Sequence, residues 1–589
     1  MRADATCDVL VIGAGAAGLT AAAVAAAEGR RVLLLESTPF VGGTTAISGG
    51  MVWVPGNHLS AAAGRPDSLD AARSYLGHTV PPGDDPAPLE AFITHGDEAI
   101  ATLIAKTALR LRPVLAYPDY YPDLPGATPG GRVLEPMPFD ARTLGAAFAL
   151  LRPPLPEFML FAGMMVHRSD VPHLRRAARS PASAWHVGKL LARHALERLR
   201  APRGTTLHLG NALAGWLFRS ALELGVEVRT AVTVRRLLVE GDEGTEGADK
   251  IERIEAAGST EAAGRAAGGR VVGAEIECAG RRETVRARGG VVLASGGISH
   301  DATLRARYVP AEAGALSATV NSCAARSGAE LALEVGAQLS RGAARQAFWV
   351  PGSTFTRRDG SEAVFPHTVT DRGKPGLIAV DRHGRRFVNE ALSYHEFVKG
   401  QLRAGADAVP AFLVCDGRFL WKYGLGCVKP FSPRRVVAPL VASGYLKRAD
   451  TLAHLAQAIG VPAPALVATV DAFNTDARRG IDAQFGRGGD IYQRHLGDAD
   501  HGPNPCVAPI EAAPFHAVAV RPADLGMAAG LVTDAAARVL DAGGAPIPGL
   551  YVCGNDMQSV MNGAYPGPGI TLGPALVFGV IAGRRAALG

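Results

Sequence analysis

The chain predicts an α/β fold, a Rossmann-like dinucleotide-binding domain interrupted by an inserted α+β substrate (catalytic) domain, and three observations predict it. Residues 7–36 read strand, glycine-rich turn, helix, strand. At about residue 300 the pattern changes to helical stretches separated by Pro- and Gly-rich connections. From residue 549 onward the character of the first part returns. The division expected is 1–299, 300–515 and 516–589, with the second domain inserted into the first.

Taken in order, residues 7–12 are a continuous apolar run, 19–28 are alanine-rich with a helical pattern, and 31–35 are a second apolar run. Residues 226–239 read as strand, and 290–295 as a buried strand ending at Gly296-Gly297. Residues 241–269 are rich in Gly, Ala and Glu without an aromatic residue, which predicts an exposed, poorly ordered insertion with no chemistry. In the second domain, 324–337 and 451–475 are predicted helices. The end of the chain gives a strand at 549–553, a glycine-dense loop and an apolar helix at 573–587.

With 589 residues, 48% hydrophobic and 20% charged, the chain has material for more than one core. Its net charge of +6 is small for this length and no basic run stands out, so nucleic acid is not an expected partner. The seven cysteines form no C-x-x-C pair. Neither a metal site nor a disulfide framework is expected, and a cytoplasmic location fits. Residues 1–7 leave no room for a signal peptide. The apolar stretch 144–166 is broken by Arg152, Pro153, Pro154, Pro156 and Glu157, short of the ~20 residues that a spanning helix needs. It reads as a buried or lid segment ahead of a patch that docks on a membrane surface, so that peripheral membrane contact stays open.

Gly13-Ala14-Gly15-Ala16-Ala17-Gly18 follows a strand and opens a helix, and Glu36 ends the next strand about 20 residues on, where a carboxylate can bind a ribose hydroxyl. Gly13 permits the turn, Gly15 lets the backbone approach a pyrophosphate, Gly18 allows helix to pack on strand, and the helix N-terminus faces the phosphate charge. A purely structural turn would not bring strand, helix and Glu36 into this register. A second glycine-rich loop, residues 42–50, then favours FAD over NAD, because its small residues can lie along the rest of a large cofactor. No second motif of this kind indicates NAD(P)H. The loop has no histidine for covalent attachment, so FAD is expected to be held noncovalently.

These segments, the loop up to Asn57, residues 376–390 ending Arg-Arg-Phe-Val-Asn-Glu, and residues 549–555 resemble the fumarate reductase and succinate dehydrogenase flavoprotein superfamily. Within it, residues 118–145 (Pro-Gly-Gly-Arg, then Glu-Pro-Met-Pro-Phe-Asp-Ala-Arg) and 564–579 (Ala-Tyr-Pro-Gly-Pro-Gly-Ile-Thr-Leu-Gly-Pro-Ala-Leu-Val-Phe-Gly) look like the FAD-dependent 3-ketosteroid Δ1-dehydrogenases. The likeness spans nearly the whole chain apart from 241–269. The expected FAD contacts are Gly13, Gly15, Ala16, Ala17, Gly18, Glu36, Ser37, Gly43, Thr44, Thr45, Ser48, Gly49, Gly50, Gly296, Gly554, Asn555, Thr571 and Leu572.

The resemblance implies removal of hydrogen from carbons 1 and 2 of a 3-ketosteroid, one as a proton and one as a hydride to flavin N5, with the electrons passing to an external acceptor. Tyr565 and the backbone N–H of Gly569 match the family's donors to the ketone oxygen. Tyr394 matches the base that takes the proton from carbon 2. An unperturbed tyrosine titrates near ~10, and Tyr120 matches the tyrosine that assists it. Tyr117 and Tyr121 crowd the same segment, with Tyr121 the alternative. The sequence departs from the pattern at 241–269, in the apolar region 144–201 and at 523–530, which bears on substrate shape and flavin surroundings. A dicarboxylate reductase would need arginine grips. The C-terminal loop offers Tyr565 instead, leaving Arg385 and Arg386 as candidate anion grips. A dehydrogenase acting between carbons 4 and 5, or on another cyclic ketone, would use a similar oxyanion arrangement. A non-catalytic flavoprotein would need no proton-transfer residues.

Overall fold

The computed structural model describes residues 4–83, 85–161, 163–241, 269–321, 326–341, 347–357 and 359–589, so the expected insertion at 241–269 lies outside them but for its two end residues. Strand β1 (Asp4–Ile12), helix α1 (Ala16–Ala27) and strand β2 (Val32–Leu35) form the expected βαβ unit. The apolar run makes β1 a central strand: Val9 to Ile12 are buried, paired in parallel with Val32 to Leu35 on one side and with Gly290 to Leu293 on the other. The order in this eight-stranded sheet continues from β1 through Arg281–Leu293 to Pro546–Val552 and Arg538–Leu540, and from β2 to Glu227–Arg229. Val232–Val239 and Val271–Cys278 join as an antiparallel extension. The predicted strand 226–239 is thus two strands, broken at Ala231, which adopts a positive φ of 55°.

The alanine-rich α1 packs on the C-terminal helix Leu572–Leu588 at close range, because a Cβ on Gly583 would lie 2.5 Å from the carbonyl oxygen of Ala21. This contact brings the end of the chain back onto its beginning.

The second main sheet is antiparallel and six-stranded, in the order Glu362–Pro366, Ala347–Thr356, Phe515–Met527, Ala411–Cys415, Leu377–Val380, with Lys447–Ala449 also paired to Phe515–Met527. That sheet therefore extends to Met527, past residue 515. The predicted helix at 324–337 is the short helix Gly328–Leu333. The one at 451–475 is two helices, Leu452–Ile459 and Ala463–Ala477, because Gly460 takes a left-handed conformation and Pro462 follows it. One buried apolar cluster runs from β1 through the C-terminal helix to Tyr120, Tyr394 and Tyr565, and takes in Phe348 and Val350 of the second sheet. No helix among the described residues is long and apolar enough to cross a membrane.

Candidate active site

At the C-terminal end of β1 the backbone turns through Gly13, φ 108°, where a Cβ would overlap the carbonyl of Ala294. A Cβ on Gly18 would overlap the carbonyl of Gly13. Around Gly15, by contrast, no atom lies within 4 Å of where a Cβ would stand. That space opens at the N-terminus of α1, where backbone N–H groups and the helix dipole favour phosphate. The second loop closes on it: Thr45 Oγ1 accepts from Ala16 N at 3.1 Å and Thr44 Oγ1 from Val320 N at 3.0 Å. Glu36 is buried at the end of β2. Its Oε1 accepts from Thr38 N at 2.9 Å and Thr38 Oγ1 at 2.8 Å, while Oε2, among the described residues, takes only Ala14 N at 3.0 Å and keeps capacity for a ribose hydroxyl.

Every expected FAD contact except Gly18 lines one cavity of about 1640 Å³, and Tyr120, Tyr394, Tyr565 and Gly569 line the same cavity. Gly18 instead serves the packing of α1. A single-ligand pocket is roughly 300–1,000 Å³, so this one has room for a dinucleotide-sized group and a second ligand. The glycine-rich cradle, the free surroundings of Gly15 and the pinned Glu36 fit FAD.

Sequence reasoning missed Asp556, which is fully buried beneath the cradle. It accepts from Ser295 N, from Ser295 Oγ at 2.9 Å and from Gly297 N at 2.8 Å, fixing the turn at 295–297 against Gly554 and Asn555. Burial pushes its carboxyl up, and these bonds oppose the shift. Its only signal was its place directly after Gly554-Asn555.

Three tyrosines from distant segments meet at one wall. Tyr120 donates its hydroxyl to the Tyr394 oxygen at 3.0 Å, the Tyr565 ring stacks on Tyr120 at 5.7 Å, and Tyr394 meets Tyr565 edge-on at 5.1 Å. Tyr394 opens the helix Tyr394–Arg403, capped by Ser393 Oγ accepting from Glu396 N at 3.2 Å, so a phenolate there lies at the positive end of the helix. Tyr565 is held by its neighbour, as Pro566 O accepts from Tyr75 Oη at 2.6 Å and from Tyr120 N at 2.9 Å. Beneath them Asp119 accepts from Trp53 Nε1 and Arg132 Nη1, each at 2.9 Å. Gly569, φ 97°, accepts from Trp53 N at 3.1 Å through its carbonyl. Its own N–H donates to no acceptor among the described residues, and a Cβ there would overlap the Met51 carbonyl.

Of the crowded tyrosines, Tyr121 turns away and donates to Glu396 at 2.8 Å, and Tyr117 packs on the ring of His495 at 4.4 Å. Tyr492, which sequence reasoning did not single out, packs on Tyr120 at 4.7 Å. Burial pushes the Tyr394 hydroxyl well above the ordinary tyrosine range and Tyr565 adds to it, against a lowering bond from Tyr120. Tyr565 rises less, to about 12, because its hydrogen bond with Tyr394 offsets part of the burial. His395, beside Tyr565, is held neutral, pulled down to about 3 by burial.

The candidate anion grips do not reach the cavity. Arg386 is buried and bonded to Glu390 (2.9 and 2.7 Å) and Asp482 (2.7 and 2.8 Å), and Arg385 is exposed. The rings of Phe473 and Phe485 flank its guanidinium at 5.0 and 4.9 Å, and its charge is satisfied internally. The expected lid segment does line the cavity, through Pro154, Leu155, Phe158, Leu160, Phe161, Met165 and Val166, while residues 523–530 touch it only through Leu525.

The family model for the FAD binding domain matches residues 8–572. The chain is 37% identical to the 4-oxocyclohex-2-ene-1-carboxylate 5-dehydrogenase of Sinomonas cyclohexanicum, over 99% of this chain and 94% of that one. It is 34% identical to a 3-oxosteroid 1-dehydrogenase of Mycobacterium tuberculosis, over 98% and 97%. Among solved structures it is similar to the 3-ketosteroid Δ1-dehydrogenase of Sterolibacterium denitrificans in complex with 1,4-androstadiene-3,17-dione, with a TM-score of 0.86, 35% identity and 99% of each chain covered. These findings bear out the flavoprotein resemblance, the FAD cofactor and the α/β fold class.

Proposed function

The chain belongs to the FAD-binding family and is an FAD-dependent oxidoreductase of the ketosteroid dehydrogenase group, and from that premise we propose that it desaturates a ring ketone next to its carbonyl, between carbons 1 and 2 when the ketone is a 3-ketosteroid. The observation that carries the reading is the meeting of Tyr120, Tyr394 and Tyr565 with the unpaired N–H of Gly569 in the cavity that the dinucleotide cradle lines.

The Tyr565 hydroxyl and the Gly569 N–H donate to the ketone oxygen and stabilise the negative charge that grows there, which acidifies the adjacent C–H. The Tyr394 oxygen takes that proton, from carbon 2 of a 3-ketosteroid. Tyr120, donating to the same oxygen, stabilises the phenolate form. Bound flavin supplies the acceptor for the hydride that leaves the neighbouring carbon, so two C–H bonds break and one C=C bond forms. The electrons then pass to an external acceptor.

The test is anaerobic: the yellow protein is mixed with androst-4-ene-3,17-dione, bleaching of the flavin band is followed and the product identified. Bleaching with the 1,4-diene as product is expected. Failure of this steroid, a 5α-3-ketosteroid and simple cyclic ketones alike to bleach the flavin would refute the reading.

We also read the helix Pro181–Arg198 as a contact for a membrane surface, from which an apolar ketone can enter. Trp185 and Leu196 on it, and Leu199 just after it, are 70%, 66% and 81% exposed, and their spacing puts them on one helix face. Co-sedimentation with lipid vesicles that is lost in Trp185→Ser/Leu199→Ser is the outcome expected.

A further inference from the structure

We propose that Arg175 and Lys374 form a carboxylate subsite in the cavity wall, so that the preferred substrates are ring ketones bearing a carboxylate; this rests on the ring-ketone reading above and narrows its substrate class. Both residues line the cavity that Tyr394 and Tyr565 line.

Neither has an acidic partner within ion-pair distance among the described residues, unlike Arg112, Arg357 and Lys422. Arg175 is half-buried and its Nε is sealed from solvent without a hydrogen-bond acceptor, while its guanidinium faces the Tyr423 ring at 5.5 Å. Lys374 Nζ donates to the carbonyls of Leu496 (2.5 Å) and Gly497 (2.7 Å), which leaves one N–H uncommitted. The acid nearby, Asp498, is already engaged by Lys422 and Tyr423, each at 2.7 Å, and by Asp500 N at 3.2 Å. The other lysine of the cavity wall, Lys429, is occupied by the carbonyls of Pro156 and Met159.

Two positive charges thus stand in a largely apolar wall with no carboxylate in ion-pair distance among the described residues, an arrangement that an entering anion would make more favourable. Burial first, and then the charge of Arg175, bring Lys374 down to about 8. A carboxylate between them would relieve both effects, and the planar guanidinium can take it with two bonds. The subsite adjoins the reacting end through His495, which precedes the Leu496 carbonyl and packs on Tyr117. A ketone at Tyr565 and Gly569 and a carboxylate at Arg175 and Lys374 would hold the ring from opposite ends and fix which C–H faces Tyr394.

The experiment compares each acid with its methyl ester in anaerobic flavin reduction by the holoenzyme, using 4-oxocyclohexanecarboxylate for a single ring and 3-oxochol-4-en-24-oate for a steroid. In at least one pair the acid is expected to exceed its ester at least tenfold in the second-order constant, and the pair that does so identifies the ring system. In Arg175→Gln and Lys374→Met, that acid-to-ester ratio is expected to fall toward one. Esters that reduce the flavin as fast as their acids in both pairs overturn the subsite and leave the ring-ketone reading standing. No reduction by any ketone overturns the ring-ketone reading itself and the subsite with it. The comparison on the unmodified protein decides even if a variant fails to fold.

Discussion

In the proposed reaction the tyrosine cluster sets the chemistry through the state of its hydroxyls. Tyr565 would donate and Tyr394 accept, because the Tyr120 bond favours an anion on Tyr394 and the helix N-terminus adds to it. Tyr565→Phe is expected to slow flavin reduction by a steroid about 10²–10³-fold, the usual loss for one oxyanion donor. Tyr394→Phe should lose about 10²–10⁴-fold. A Tyr565→Phe rate within a few fold of the parent in stopped-flow would remove its role. The pH dependence follows from the same residue. The form that takes a proton is the phenolate, and burial holds the Tyr394 hydroxyl well above 10. The reduction rate should therefore climb through the neutral and alkaline range without a plateau by about pH 10, as each unit raises the phenolate fraction tenfold. Tyr120→Phe, which removes the lowering bond, should push that limb further alkaline. A flat profile above pH 7 would contradict this assignment. Tyr565 was legible in the sequence because glycines surround it. The choice of Tyr120 over Tyr121 was not, since adjacent residues in a loop point apart and only packing shows that Tyr121 reaches Glu396.

At the level of elements, β1, α1 and β2 separate binding from folding at neighbouring glycines. Gly15→Ala meets no protein atom but fills the space at the helix N-terminus. It should fold with unchanged circular dichroism and bind FAD at least tenfold more weakly in a titration of apoprotein. Gly18→Ala would overlap the Gly13 carbonyl and should instead yield little folded protein. Equal FAD affinity in Gly15→Ala and the parent would refute the cradle. In the second sheet region, burial alone would raise Asp371, but His367 at 2.6 Å and Arg372 overcome it and hold the carboxyl at about 2. A lowered carboxylate stabilises the fold above its unfolded value near ~3.9 and loses that contribution as pH falls toward 2, about 2 kcal/mol here. Urea unfolding should show the gap between the parent and Asp371→Asn narrowing by about that amount between pH 5 and pH 2. A constant gap would mean that Asp371 does not titrate with folding. The motif-bearing elements were legible, and the long predicted helix 451–475 was misread because Gly460 and Pro462 end one helix and begin another within a single periodic stretch.

For the whole molecule, the cavity that fits FAD is lined by the first and last segments of the chain, so FAD binding should couple to global stability. Removing FAD is expected to lower the thermal midpoint, and acid precipitation of the holoprotein should release all the flavin to the supernatant. Flavin retained by the pellet would mean a covalent link.

What the sequence by itself determined is what is written locally: the phosphate turn, Glu36 and the small-residue loop are set by backbone conformation and periodicity within one βαβ unit and the loop that follows. What only the tertiary structure decided is which distant groups share a cavity. Tyr120 and Tyr394 are 274 positions apart, and Ser295 and Asp556 are 261 apart. The unpaired state of Arg175 and the internal pairing of Arg386 are likewise invisible in the chain. Whether a buried polar group turns to its neighbours or to a ligand depends on the partners that packing brings within reach, and residue type and spacing do not specify those.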